Sequence, residues 1–152
     1  MVKSKSNPPL TKEELVLAAL SPANGKPFQP VHVQKLFFLI DEEVGDRLGG
    51  KFFNFAPHDY GPFDREVYDV LEKLQEDGLV EIAGLPGWRM RFYSLTAEGQ
   101  QEGEKILSRI PVNLQQYIRD VAEWTRSLPF AKLVPAIYKK YPRMKVNSVF
   151  SE

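Results

Sequence analysis

LQEDGLVEIAGLPGWRMRFYSLTAEG, residues 74–99, decides the fold. Leu74 closes a run in which Val67, Val70, Leu71 and Leu74 recur at helical spacing, and Gly78 is a natural helix stop. LVEIA then reads as a strand, GLPGW as a tight turn and RMRFYSL as a returning strand, a β-hairpin by composition and spacing. Thr96 and Gly99 stand at the start of the next helix, AEGQQEGEKILSRI, which Pro111 breaks.

Upstream, Thr11 and Glu14 form a capping box, each side chain placed to satisfy the other's free backbone donor. The helix it opens, TKEELVLAALS, stops near Pro22, and SPANGKPFQP is loop-like. Val33, Leu36, Phe37, Ile40 and Val44 predict a second helix over about 30–44. Phe38 and Leu39 widen its apolar face, so it is expected to be buried on two sides, and Gly45, Gly49 and Gly50 to end it. KFFNFAPHDYGP is aromatic and turn-rich, with a short strand expected at 52–55, and the third helix is expected over about 63–77. Downstream, Leu114, Tyr117, Ile118, Val121 and Trp124 share one face of a fifth helix. A sixth, over about 129–141, contains Pro135, which is expected to kink it or delay its start.

Three helices, a hairpin and further helices make up the winged-helix plan. The expected class is mainly α with a small β-hairpin (α+β). Residues 1–10 form a lead, 11–99 the winged-helix-like core, 96–141 a helical extension offering a dimer or partner surface, and 142–152 a tail. A chain of 152 residues is one domain by size. Leu36, Phe37, Ile40, Val67, Leu71, Leu74 and Tyr93 are the expected core. Gly61, pinned between Tyr60 and Pro62, is expected in a conformation closed to other residues.

Composition narrows the chemistry. There is no cysteine, so disulfides, thiolate metal sites and cysteine nucleophiles are excluded. Only His32 and His58 supply imidazole, which disfavours a zinc site. Apolar runs such as 36–40 are far too short to span a membrane, and the first ten residues lack a secretory leader's apolar stretch. A cytoplasmic protein with no metal and no cofactor is the expectation. No phosphate loop, nucleophile elbow or zinc-protease motif occurs, and no enzyme is read.

VQKLFFLIDEE (33–43) followed by FFNFAPHDYGPFDREVYDVLEKLQEDGLV (52–80) resembles the Panacea domain, the unit of SocA-like antitoxins and of phage-associated proteins. Gln34, Lys35 and Leu36, then Tyr60, Gly61 and Pro62, then Val67, Tyr68, Leu71 and Leu74 carry the likeness. IYKKYPRMKVNS (137–148) resembles a closing segment of some relatives. The resemblance covers a little under half the chain. It implies a non-enzymatic module that binds a partner protein such as a toxin. The long hairpin with LTAEG departs from it and fits a general winged-helix protein better.

Charge bears on the same question. Residues 63–77 carry six acids against two bases, a net −4, where a DNA-reading winged helix would enter the major groove. Asp64, Asp69, Glu72 and Glu76 are therefore candidates for facing a protein partner, or else form a solvated face. The first 76 residues sum to −3 and the last 76 to +3, so the zero net charge hides a dipolar chain. Three readings of the basic C-terminal segment compete: it docks on the protein's own acidic third helix, it attracts an acidic partner, or it contacts a nucleic-acid backbone. In the last, the alternative of a winged-helix transcription regulator, Arg89 and Arg91 of the wing act with Lys139, Lys140, Arg143 and Lys145.

Trp88, at the hairpin tip, is a candidate partner contact or folds back onto the domain. Phe52, Phe53, Phe55, Tyr60 and Phe63 are read mostly as core. His58 and Asp59 are read as a turn rather than an acid–base pair. Asp41, Glu42, Glu43 and Asp46 are read as a solvated face in preference to a cation or basic-partner site.

Overall fold

The computed structural model describes residues 9–84 and 91–151. Six α-helices and two antiparallel strand pairs lie among them: α1 (Lys12–Leu20), α2 (Pro30–Leu48), β1 (Ala56–His58), β2 (Gly61–Phe63), α3 (Glu66–Glu76), β3 (Val80–Gly84), β4 (Arg91–Leu95), α4 (Ala97–Ser108), α5 (Val112–Ser127) and α6 (Phe130–Lys140). The chain is mainly α with small hairpins, as the pattern predicts.

The capping box at α1 forms in both directions, Thr11 N–H to Glu14 Oε1 and Glu14 N–H to Thr11 Oγ1, each at 3.0 Å. Leu15 through Leu20 are all buried, so α1 is a central helix. α4 lies close against it because Gly103 faces α1: a Cβ there would stand 2.3 Å from the Leu17 carbonyl oxygen. Gly99, on the same face one turn earlier, would bring a Cβ to 1.9 Å from Leu79 O. Thr96 caps α4 through Gly99 N–H and also donates to Gly78 O at 2.8 Å, which ties the root of the second hairpin to the end of α3.

The hairpin read from sequence is β3–β4, with Val80 opposite Leu95 and Gly84 opposite Arg91. Phe28, from the loop between α1 and α2, adds to it through two backbone hydrogen bonds with Tyr93, of 2.7 and 2.8 Å. The seven expected core residues are all buried, at most 1 % exposed, and one apolar core joins the first five helices and α6. Leu10 of the lead docks by donating to Leu48 O. Trp88 and Arg89 lie outside the described residues.

Several expectations are corrected. α2 runs to Leu48, with Gly45 inside it; only Gly49, at φ 106°, ends it. No strand forms at 52–55. The amides of Phe52 and Phe53 instead donate to the two carboxylate oxygens of Asp41, both at 2.9 Å. Strand pairing comes later, as β1–β2 across Asp59 and Tyr60. α3 begins at Glu66, because residues 61–63 belong to β2. Pro135 sits inside α6 without delaying its start at Phe130. Trp124 is 41 % exposed rather than packed in the face of α5.

Candidate functional site

α2 places Gln34 and Lys35 side by side facing the β1–β2 hairpin and the start of α3. The Gln34 amide clamps one residue's backbone twice: its Oε1 accepts from Asp64 N–H at 2.9 Å and its Nε2 donates to Asp64 O at 3.0 Å. Both bonds fit only this orientation of the amide. The next residue, Lys35, donates to Pro62 O at 3.2 Å. Two adjacent α2 side chains thus fix the strand β2 and its exit into α3.

Gly61 makes the hairpin possible. Its φ is 104°, a region that costs an L-residue about 1–2 kcal/mol. A Cβ there would lie 3.4 Å from the Tyr138 ring and 3.5 Å from Lys35 Cε, so the site is close-packed on both sides. Asn147 donates to Pro57 O and Val149 N–H to Asp59 O, so residues after α6 hold the other edge of the hairpin.

Between these elements opens a cleft of about 360 Å³ lined by Lys35, Tyr60, Phe63, Arg65, Tyr68 and Phe130, among others. Its walls are a chain of rings: Tyr60 packs edge-on to Phe130 at 5.0 Å, Phe63 to Tyr68 at 5.7 Å, and Tyr68 stacks on Tyr93. His58 leans on Phe63 at 4.9 Å. The volume is in the range of small-ligand pockets.

Lys35 is the unusual group. It is only 4 % exposed, and burial alone pulls its pKa down from 10.5 to about 7, with no neighbouring charge to offset the cost. An ammonium has three N–H donors, and Pro62 takes one. A buried lysine without a carboxylate is costly to the fold.

Six residues that carry the resemblance, Gln34, Lys35, Tyr60, Gly61, Pro62 and Tyr68, therefore gather at one place. The charged candidates do not. Asp64 is part of the scaffold: its Oδ2 accepts from Asn54 N–H at 2.7 Å and its Oδ1 from Glu66 N–H at 2.9 Å. Asp69 pairs with Arg65 at 3.7 Å and Glu72 with Arg91 at 3.5 Å, all on exposed side chains, and Glu76 is exposed beside them.

The basic segment docks on the protein itself, but on α2 and not on α3. Lys140 pairs with Glu43, and Arg143 with Glu42 at 2.7 Å while lying over the Tyr141 and Phe38 rings. Glu43 also accepts from the Tyr117 and Tyr141 hydroxyls. Asp41, Glu42 and Glu43 are thus internal anchors, which corrects the reading of a solvated face. Their positive partners hold Glu42 and Glu43 below the usual glutamate range despite partial burial, which pushes the other way. Lys139 is exposed, and Lys145 lies 5.9 Å from the centre of the Tyr138 ring.

His32 is buried. Its Nδ1 accepts from Gln29 N–H and its Nε2 donates to Leu128 O at 2.9 Å, a neutral tautomer consistent with a pKa lowered chiefly by burial. Among the described residues no group of three His, Cys, Asp or Glu is arranged to hold a metal ion.

Sequence reasoning marked Lys35 only as a residue of the resemblance and missed that it is buried beside a cleft without an ion-pair partner among the described residues. The signal available was its position, next to Leu36 on a helix predicted to be buried on two sides. A scan against protein-family models, a search of curated proteins and a search of solved structures each return no match. No helix among the described residues is long and apolar enough to cross a membrane.

Proposed function

We propose that the protein is a non-enzymatic, partner-binding module of the Panacea type, an antitoxin or regulatory subunit, and that it meets its partner at the cleft between α2 and the β1–β2 hairpin. One observation carries this reading: five residues of the resemblance, Gln34, Lys35, Tyr60, Gly61 and Tyr68, far apart in sequence, line that cleft. Leu36, Val67, Leu71 and Leu74, the aliphatic residues of the resemblance, belong to the core, which does not account for the other five. Tyr60 and Tyr68 are partly exposed, and the buried Lys35 forms part of the cleft wall.

The DNA-binding alternative loses support from the ion pairs. Of its described basic residues, Arg91, Lys140 and Arg143 already face Glu72, Glu43 and Glu42. α3, the element that would enter the groove, keeps its acidic surface.

The test is co-expression with the product of the adjacent reading frame, scored as relief of growth arrest, beside duplex binding at several salt concentrations. The reading expects relief by the wild type, loss of relief in Tyr60→Ala, and no sequence-specific duplex binding. Specific duplex binding with a steep salt slope would overturn it, most clearly if replacing Lys139, Lys140, Arg143 and Lys145 with serine flattens that slope by up to ~4.

A further inference from the structure

The cleft has a chemistry more definite than a generic docking surface. One wall holds a buried ammonium, the other walls are aromatic, and the cavity takes something the size of one large residue. A neutral apolar guest would fill the aromatic part and leave the ammonium without a counter-charge. A small inorganic anion would answer the ammonium and leave the rings bare. The guest that matches both carries a carboxylate within a few bonds of an apolar group.

Within a polypeptide, that combination is found at the last residue of a chain, where the α-carboxylate and the side chain leave the same carbon. An internal Asp or Glu would also bring a carboxylate, but with backbone continuing on both sides. The cleft is bounded by the β1–β2 hairpin, the start of α3 and Phe130, and its volume of about 360 Å³ suits the end of a chain better than one passing through. Arg65, exposed at the mouth, adds positive charge; Asp59, also at the rim, is the one acid lining the cleft.

We propose that the cleft captures the C-terminal carboxylate of a partner chain ending in a large apolar residue, with Lys35 as the carboxylate's ion-pair partner and Phe63, Tyr68 and Phe130 around the side chain. This rests on the partner-binding reading and names what is recognised. Ion pairing supplies the counter-charge the fold does not, so a residue that costs stability in the free protein contributes affinity in the complex.

Three short probes test it: acetyl-Ala-Gly-Phe as the free acid, the same peptide as its C-terminal amide, and acetyl-Ala-Asp-Phe amide, which offers only an internal carboxylate. Titration calorimetry at pH 6.5 is expected to show the free acid binding at least tenfold more tightly than either amide. Lys35→Met should bring the acid down to the level of its amide. The preference should shrink towards pH 9 as Lys35 loses its proton, by up to tenfold per pH unit above its pKa. The other titratable groups facing it are His58, Asp59 and Tyr60 of the hairpin, Arg65 and Tyr68 at α3, and Tyr138 of α6.

Amide NMR shifts in the wild type locate the site without any variant: changes centred on Gly61, Phe63 and Tyr68 support the proposal, and changes confined to α5 and α6 overturn it. Equal binding of acid and amide, equal binding of the internal-Asp peptide, or no binding by any probe would each overturn it too. The probes need no partner protein. If they fail while toxin relief persists, the carboxylate is wrong and the module stands; if they bind while relief is absent, the reverse holds.

Discussion

The two hairpins of this protein are built on opposite principles. β3–β4 has five residues per strand, and its inward positions Val80, Tyr93 and Leu95 are buried while Glu81, Ala83 and Phe92 face out. It obeys the period-two rule and could be read from the sequence. β1–β2 has three residues per strand and no such alternation: Gly61 and Pro62 are both buried, and Ala56 and His58 are exposed. It is held by what surrounds it, the Lys35 side chain, the double clamp of Gln34 on Asp64 and the bonds from Asn147 and Val149. A self-sufficient hairpin frames the core, and a dependent one shapes the cleft.

The largest expected effect lies at the root of the self-sufficient hairpin. Gly99→Ala drives a methyl group into the Leu79 carbonyl, rigid backbone on both sides, and should cost about 3 kcal/mol or more in urea unfolding. If it is tolerated, α4 and Leu79, just ahead of β3, are not in the contact described and the contrast loses one side.

Next comes Lys35. Its pKa is lowered in the fold from 10.5 to about 7, so between those values the unfolded chain holds more protons. Stability gained by deprotonation is fully present above pH 10.5 and is lost as pH falls towards 7, with a slope of at most about 1.4 kcal/mol per pH unit. Lys35→Met should lack this rise and unfold no more easily than wild type at pH 7. Parallel urea titrations from pH 7 to 10 measure the difference, and identical slopes would place the ammonium in water.

Gly61→Ala should cost about 1–2 kcal/mol, chiefly through its positive φ, and should disturb the cleft while leaving β3–β4 intact. Hydrogen exchange of the two hairpins separates them: opening of both together would mean that they are one cooperative unit. The smallest effect is expected for Arg91→Ala, which removes an exposed ion pair to Glu72 and should change stability by less than about 1 kcal/mol.

The same contrast explains what was legible in the sequence. The helices and β3–β4 follow from local periodicity, the capping box at Thr11 and Glu14, and the Thr96 start of α4. The core set followed from the same periodicity, and Gly61 from its setting between a turn residue and proline. The cleft depends on contacts across 27 or more residues, Lys35 to Pro62 and Gln34 to Asp64, for which no spacing rule exists. Charge counting failed for a related reason. It identified the basic segment but not its acceptor, because Glu42 and Glu43 lie about a hundred residues from Arg143 and Lys140.

The bonds from Asn147 and Val149 to the β1–β2 hairpin also set an order of events during synthesis. Residues 56–63 leave the ribosome long before 130–149, so they emerge with neither their outer edge nor the Phe130 wall. α1 through α4 contain their own close contacts and can assemble as the chain grows. The cleft is therefore completed last, after the scaffold that shapes it is in place.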